Sequence, residues 1–232
     1  MRSDAHILRS GYIWAALAFA GIALTGFART YYLRPLFGRP PLPLLLHVHG
    51  VIMSAWCILF FTQAYLVAAQ RIDLHRRLGV FGGALAVLVV AMGAYVTVLA
   101  TQREVQQGII GPFHYLLGIN MANLLAFAIL VAAGLMLRRK PEFHKRLMLL
   151  ATVAILAPAV ARITLLFTHN GLAQFLSFYL CVLVCVVVDT LRHRRMHPAI
   201  AWGALLIIIS FQASYSLVQT KAWMNFVARA FS

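Results

Sequence analysis

The chain reads as an all-α integral membrane bundle of seven transmembrane helices, and three observations carry that reading. Its 232 residues are 62% hydrophobic and only 11% charged, too few charges to solubilise so much apolar surface. The apolar residues fall into seven runs, each near the roughly 20 residues that a helix needs to cross a hydrocarbon core of about 30 Å. Within lipid the backbone must satisfy its own hydrogen bonds, so such runs are helices, and no alternating pattern of short strands suits a barrel. Seven spans leave no room for a soluble domain, so residues 1–232 form a single transmembrane domain.

The first span, 12–28, follows a short charged stretch, and no A-x-A cleavage site follows it, so it is a retained helix and not a signal peptide. Pro35, Pro40, Pro41 and Pro43 make the next connection extended and stiff. The second span covers 44–69. The third, 78–100, opens with Gly79 and Gly83, whose missing side chains let helices approach closely. The fourth covers 113–137. The fifth, 147–168, contains Pro158, which predicts a kink. The sixth, 172–190, holds Cys181 and Cys185, and the second holds Cys57; without a C-x-x-C pattern these are small apolar packing residues. The seventh covers 199–218. Tyr12, Trp14, Tyr31, Tyr32, Tyr115, Trp202 and Trp223 sit near span ends, as in an aromatic belt. Leu74–Leu78 (LHRRL) and Phe143–Leu147 (FHKRL) each follow a long span that opens near a histidine, which predicts a two-fold internal repeat of helices 2–3 and 4–5.

A net charge of +15 suggests nucleic acid until its placement is read. Arg71, Arg76 and Arg77 follow the second span, Arg138, Arg139, Lys140, Lys145 and Arg146 the fourth, and Arg192, Arg194 and Arg195 the sixth. Cations mark cytoplasmic loops, which puts the N-terminus inside and the C-terminus outside, with thirteen Lys and Arg inside and six outside. Arg29, Arg34 and Arg39, in the first loop, run against the rule. The basic bias is an orientation signal that also brings anionic lipid headgroups to the inner face, and no nucleic-acid partner is implied.

With this topology His47, His49, His114 and His169 gather at the outer face, and His75, His144, His193 and His197 at the inner one. His49 shares a stripe with Trp56, Gln63 and Gln70 at steps of seven and is the better inward candidate of the His47/His49 pair. Arg162 and His169 are also seven apart, and an arginine two turns below the surface needs a partner or water. Two histidines on facing helices suit the axial positions of a b-type haem, His49 with His114, with Arg162 for a propionate. Three or four at one level, His47, His49, His114 and His169, suit zinc or copper. The five acids are Asp4, Asp73, Glu104, Glu142 and Asp189, which excludes a carboxylate di-iron site. His75 and His144 are read as interfacial, because 26 residues of helix from His49 span about 39 Å and end among cations in the headgroup layer.

Pro41–Gly50 (PLPLLLHVHG), Leu74–Gly79 (LHRRLG), His144–Thr152 (HKRLMLLAT) and Ala161-Arg162 together resemble a family of uncharacterised bacterial polytopic membrane proteins. The likeness covers roughly residues 30–165 and implies a bacterial inner-membrane location, with His47, His49, His75, His144 and Arg162 as signature positions and no established activity. The leading functional expectation is a haem- or metal-binding redox protein that passes electrons between a membrane quinone and an acceptor at the outer face. Two further readings fit the same residues: a non-catalytic subunit or assembly factor of a larger membrane complex, with no cofactor bound, and a small-molecule or metal-ion permease with Gln63, Asn120 and Asn123 at its polar level.

Overall fold

A computed structural model describes residues 2–108 and 111–231, without the side chains of residues 2–10 and of Phe113. Arg2, Asp4 and Arg9, which enter the charge reading above, therefore lie outside the described side chains. Every regular element among the described residues is helical: α1 (Arg2–Phe27), α2 (Leu44–Ala68), α3 (Ile72–Gln106), α4 (Phe113–Met136), α5 (Pro141–Ile155), α6 (Ala157–Thr164), α7 (Gly171–His193), α8 (Pro198–Val218) and α9 (Lys221–Phe231). Six helices are long and apolar enough to cross a membrane, and α5 with α6 form a bent pair that qualifies jointly.

The bend between α5 and α6 is 47°. Pro158 lacks the N–H that would bond the Ala154 carbonyl, so the helical ladder breaks one turn before it. The expected kink becomes a break, and α6 ends at Thr164 rather than running to 168. α3 is longer than its apolar run, 35 residues against the expected 78–100, because its polar first turn carries Asp73 and its last turn Arg103. The LHRRLG and HKRL motifs are therefore helix starts, not loops. The first connection is a π-helical turn at Ala28–Tyr32 and a 3₁₀ turn at Arg34–Phe37, with extended chain only after Gly38. α9 lies beyond every expected span.

Packing follows chain order and then closes on α5. α1 packs on α2 and α6, α2 on α3, α3 on α4, α4 on α5 and α8, α6 on α7, and α7 on α8. Eight of the fifteen residues of α5 are buried, including Leu149, Leu150, Ala151, Thr152, Val153 and Ala154, so this helix forms the centre of the bundle. α1 and α6 meet at Gly26, where an added Cβ would lie 2.5 Å from the Ala159 carbonyl oxygen and 2.8 Å from its Cα. Those are backbone atoms that cannot move aside. Gly26→Val is expected to lower stability by about 1–3 kcal/mol, read as a drop in the melting midpoint in detergent; an unchanged midpoint would show that α1 and α6 are free to separate.

The contacts also sort the connections by end. Tyr12, His75, His144, Asp189 and His197 belong to one network of neighbouring contacts, at the end that carries the loop cations; we call it the basic end. Phe27, His47, Arg162, His114 and Trp223 lie at the far end.

Candidate functional site

The chain turns back sharply between α2 and α3. Gln70 takes a left-handed φ of 59°, and Arg71 N–H closes the turn on the Leu66 carbonyl at 2.8 Å. His75 therefore lies beside Gln63, not 26 residues of straight helix away from His49. The distance argument for an interfacial His75 fails at that turn. The His75 and His144 rings come together with centroids 6.1 Å apart and planes at 87°. Both side chains are half-buried.

Each ring has its Nδ1 engaged. His144 Nδ1–H donates to the Gly134 carbonyl at 2.8 Å, which fixes the tautomer and leaves Nε2 bare. The Gln63 amide faces His75 Nδ1, the His75 carbonyl (3.2 Å) and the Gly79 N–H (3.0 Å). Only with its oxygen on the Gly79 N–H and its nitrogen on His75 are all three groups satisfied, so His75 Nδ1 accepts and the imidazole proton sits on Nε2. Gln63 thus sets the tautomer of His75. Four helices contribute to this arrangement: α2 through Gln63, α3 through His75, α4 through Gly134 and α5 through His144.

Beside it lies an ion network that sequence spacing did not reveal. Arg146, 1% exposed, donates Nε–H to Asp189 Oδ2 at 2.7 Å, and Asp189 is 5% exposed. Arg146 Nη1 also donates to Glu142 Oε2 at 2.6 Å and to the Glu142 carbonyl at 2.9 Å. Tyr12 O–H donates to Asp189 at 3.4 Å, and His193 Nδ1 lies 3.4 Å from the same carboxylate. The one available signal was that Asp189 alone among the acids falls within an apolar run, in a chain with few carboxylates to neutralise a buried arginine.

His197 closes the basic end. Its Nδ1 accepts from the Ala199 N–H at 3.1 Å and caps α8, and its ring meets Phe143 at 4.7 Å. Burial first, then the charge of Arg146, depress its pKa below 6.5, with Glu142 and Asp189 pulling the other way and Arg195 adding the smallest push down. The folded state then binds this proton less readily than the unfolded chain, so its contribution is full above about pH 6.5 and declines as pH falls toward the folded value. A melting series from pH 7.5 to 5 is expected to fall less steeply for His197→Asn, which keeps a capping acceptor without titrating; an identical slope would remove His197 from the pH response.

At the far end the expected histidine cluster divides. Trp56 and Phe127 meet edge-on at 4.8 Å and mark a common level on α2 and α4, which run in the same direction. His49 is seven residues outward of Trp56, about 10.5 Å, and His114 thirteen outward of Phe127, about 19.5 Å. Their levels differ by about 9 Å. His114 is buried and pairs with Glu104 at 3.3 Å, while Trp223 of α9 donates to its carbonyl at 2.7 Å. His49 instead neighbours Arg162, close enough for their charges to interact. Arg162 donates to the Pro158 carbonyl at 2.9 Å and lies over Phe27 at 4.5 Å.

His47 is exposed, with its carbonyl accepting from Tyr31 O–H at 3.2 Å. Gly50 leaves the space that the Tyr31 ring fills, which explains why the HVHG stretch carries a glycine there. His169 is exposed in the link after α6; it does not share a helix with Arg162, because α6 has already ended. Among the described residues no three His, Cys, Asp or Glu side chains gather closely enough to hold a metal ion. No protein-family model matches the chain, and neither a curated protein nor a solved structure matches it.

Proposed function

We propose that the chain is a seven-span redox protein that holds a b-type haem at its basic end, with His75 and His144 as axial ligands. The observation that carries this is the geometry of the two rings. Two metal–nitrogen bonds of about 2.0 Å, plus about 1.1 Å from each nitrogen to its ring centre, put the centroids of a bis-imidazole unit about 6.2 Å apart. The His75–His144 separation is 6.1 Å. A ring pair in simple edge contact also falls at 4.5–7 Å, so the support rests equally on the donor set. Zinc asks for three or four protein ligands, whereas a porphyrin supplies four nitrogens and leaves two positions for the chain.

The remaining residues suit that role. His144 Nδ1–H on the Gly134 carbonyl holds its ring in place and makes Nε2 more basic. Gln63 instead donates to His75 Nδ1, so ligation through His75 Nε2 requires that ring to carry its proton on Nδ1 and the Gln63 amide to turn over. A Cβ at Gly79 or Gly83 would come into ordinary contact with Gln63 at 3.8 Å and Leu135 at 3.7 Å, so these glycines keep α3 close to α2 and α4. Arg76, within a signature segment, and Arg138, six residues before another, supply cations for propionates. When bound, the haem supplies a one-electron couple, and the chain positions it and tunes its potential.

The bent α5–α6 pair serves as the seventh span: α5 begins beside Tyr12 at the basic end, and α6 carries Arg162 to Phe27 at the far end. The basic end then faces the cytoplasm of a bacterial inner membrane. The meeting of His75 with His144 suits two copies of a helix pair, α2–α3 and α4–α5, related about an axis along the membrane normal.

The test is an absorption spectrum of the purified protein in detergent, oxidised and dithionite-reduced, after expression with a haem precursor. The expected result is a Soret band with sharp reduced α and β bands at near-stoichiometric haem. A featureless spectrum from protein that also fails to take up added haemin would end the proposal.

A further inference from the structure

The far half of the bundle contains polar atoms with no partner. Among the described residues five buried side-chain atoms make no hydrogen bond, and four of them lie here: Thr30 Oγ1, His49 Nδ1, and both Nδ2 and Oδ1 of Asn123. Asn123 is 3% exposed. Leaving a carboxamide unpaired in such a place costs about 1–3 kcal/mol per group, so each such group calls for an explanation, and a bound molecule is one.

Register shows that these groups face one another. His49 and Trp56 are seven apart, two turns along one face of α2, and Asn123 and Phe127 are four apart, one turn along one face of α4. Because the Trp56 and Phe127 rings touch, His49 and Asn123 look into the same interface, two turns and one turn outward of that contact. Arg162 adds a guanidinium within electrostatic reach of His49, and its described partners are a carbonyl and the Phe27 ring, with no carboxylate.

We infer that the interface where His49, Asn123 and Arg162 converge binds the headgroup of a quinone. Asn123 Nδ2 and Arg162 are donors, and a quinone presents two carbonyl acceptors to them. His49 supplies a nitrogen that accepts or donates according to its tautomer. Trp56 and Phe127, packed edge-on against each other, form the apolar floor beneath the quinone ring.

Depth separates this ligand from a lipid headgroup. Trp56 lies at the middle of the 25-residue α2, and Asn123 lies four residues outward of the matching Phe127, about 6 Å from that middle level. A phosphate headgroup stays outside the hydrocarbon core, about 15 Å from its centre, whereas a quinone ring travels within it on its isoprenoid tail. A cation is disfavoured by Arg162. This site does not depend on the haem proposal, because its residues lie about 16 Å from the level of Gln63 along α2.

The experiment is a titration of decylubiquinone into the purified protein in dodecyl maltoside, followed by quenching of tryptophan fluorescence. Saturable binding is expected, with Kd raised about tenfold or more by Arg162→Gln and by Asn123→Leu. Asn123→Leu removes an unpaired group and is expected to keep the melting midpoint, so it decides the matter if Arg162→Gln fails to fold. Trp56→Phe is expected to remove most of the quench, because that indole lies against the ring. Linear partitioning in the wild type, or equal affinity in Asn123→Leu, would overturn the inference. So would displacement of the quinone by phosphatidylglycerol, at an affinity that depends on Arg162 and Asn123, since that would make the site one for lipid phosphate.

Discussion

Asp189→Ala is expected to destabilise the protein by about 3–5 kcal/mol, the cost of breaking a buried ion pair by removing one partner. Arg146 is 1% exposed and lies on the central helix α5, so its guanidinium has no route to water. Glu142 remains to it, but that carboxylate is 55% exposed and carries less of the attraction, because solvent screens it. Tyr12 loses an acceptor in the same change, which loosens α1 from α7, while His193 keeps its hydrogen bond to the backbone carbonyl at 189. Asp189→Asn keeps the shape and one acceptor and is expected to lose less. Arg146→Met combined with Asp189→Leu removes both charges and is expected to recover most of the loss, since two well-packed apolar groups replace a pair whose desolvation was costly. Unfolding is conveniently followed with a thiol-reactive fluorophore, because Cys57, Cys181 and Cys185 are free and partly buried. A midpoint for Asp189→Ala equal to that of the wild type would mean that the pair does not hold α5 to α7.

Much of the helical framework is visible in hydropathy alone, because lipid leaves the backbone one way to satisfy itself. The expected 44–69, 113–137 and 199–218 fall within two residues of α2, α4 and α8. What hydropathy hides is helix that is not apolar all round. The first turns of α3 and α5 carry Asp73, Arg76, Arg77, Glu142, Lys145 and Arg146, and a window that averages hydrophobicity reads such turns as loop. α9 was missed for the same reason, although Lys221, Asn225 and Arg229 recur at steps of four, opposite Trp223, Phe226 and Val227, which is a helical period. The break before Pro158 followed from the residue type; the end of α6 at Thr164 did not, since Leu165, Leu166 and Phe167 continue the apolar run.

The sites were less legible. Arg146 and Asp189 are 43 residues apart on different helices, and nothing short of the fold brings them together. His49 and His114 are both near span starts, but they do not share a depth: His49 is the sixth residue of α2 and His114 the second of α4, and with levels matched at Trp56 and Phe127 His114 lies about 9 Å farther out. For His75 and His144 the opposite holds. Each lies four residues into its helix at the same end of the bundle, α3 starting at Ile72 and α5 at Pro141, and both sit in the repeated basic motif. That repetition was the usable signal, and the proximity of two cations to each histidine argued against heeding it.

His144→Ala and His75→Ala are each expected to abolish the low-spin haem spectrum, while His49→Ala and His114→Ala retain it. The argument turns on the number of ligands. Two imidazoles saturate the axial positions of the iron, so either truncation leaves a vacant site, and added imidazole is expected to restore the spectrum in His144→Ala if the rest of the pocket persists. Gln63→Leu separates ligation from second-layer support: it removes the group facing His75 Nδ1 without touching either Nε2, and outer partners of this kind typically change affinity about 10–100-fold. Haem affinity and reduction potential are therefore expected to change in Gln63→Leu, with an intact low-spin signature. Loss of haem in His49→Ala or His114→Ala, with retention in His144→Ala, would move the cofactor to the far end and leave the close approach of His75 and His144 as a packing contact between two helix starts.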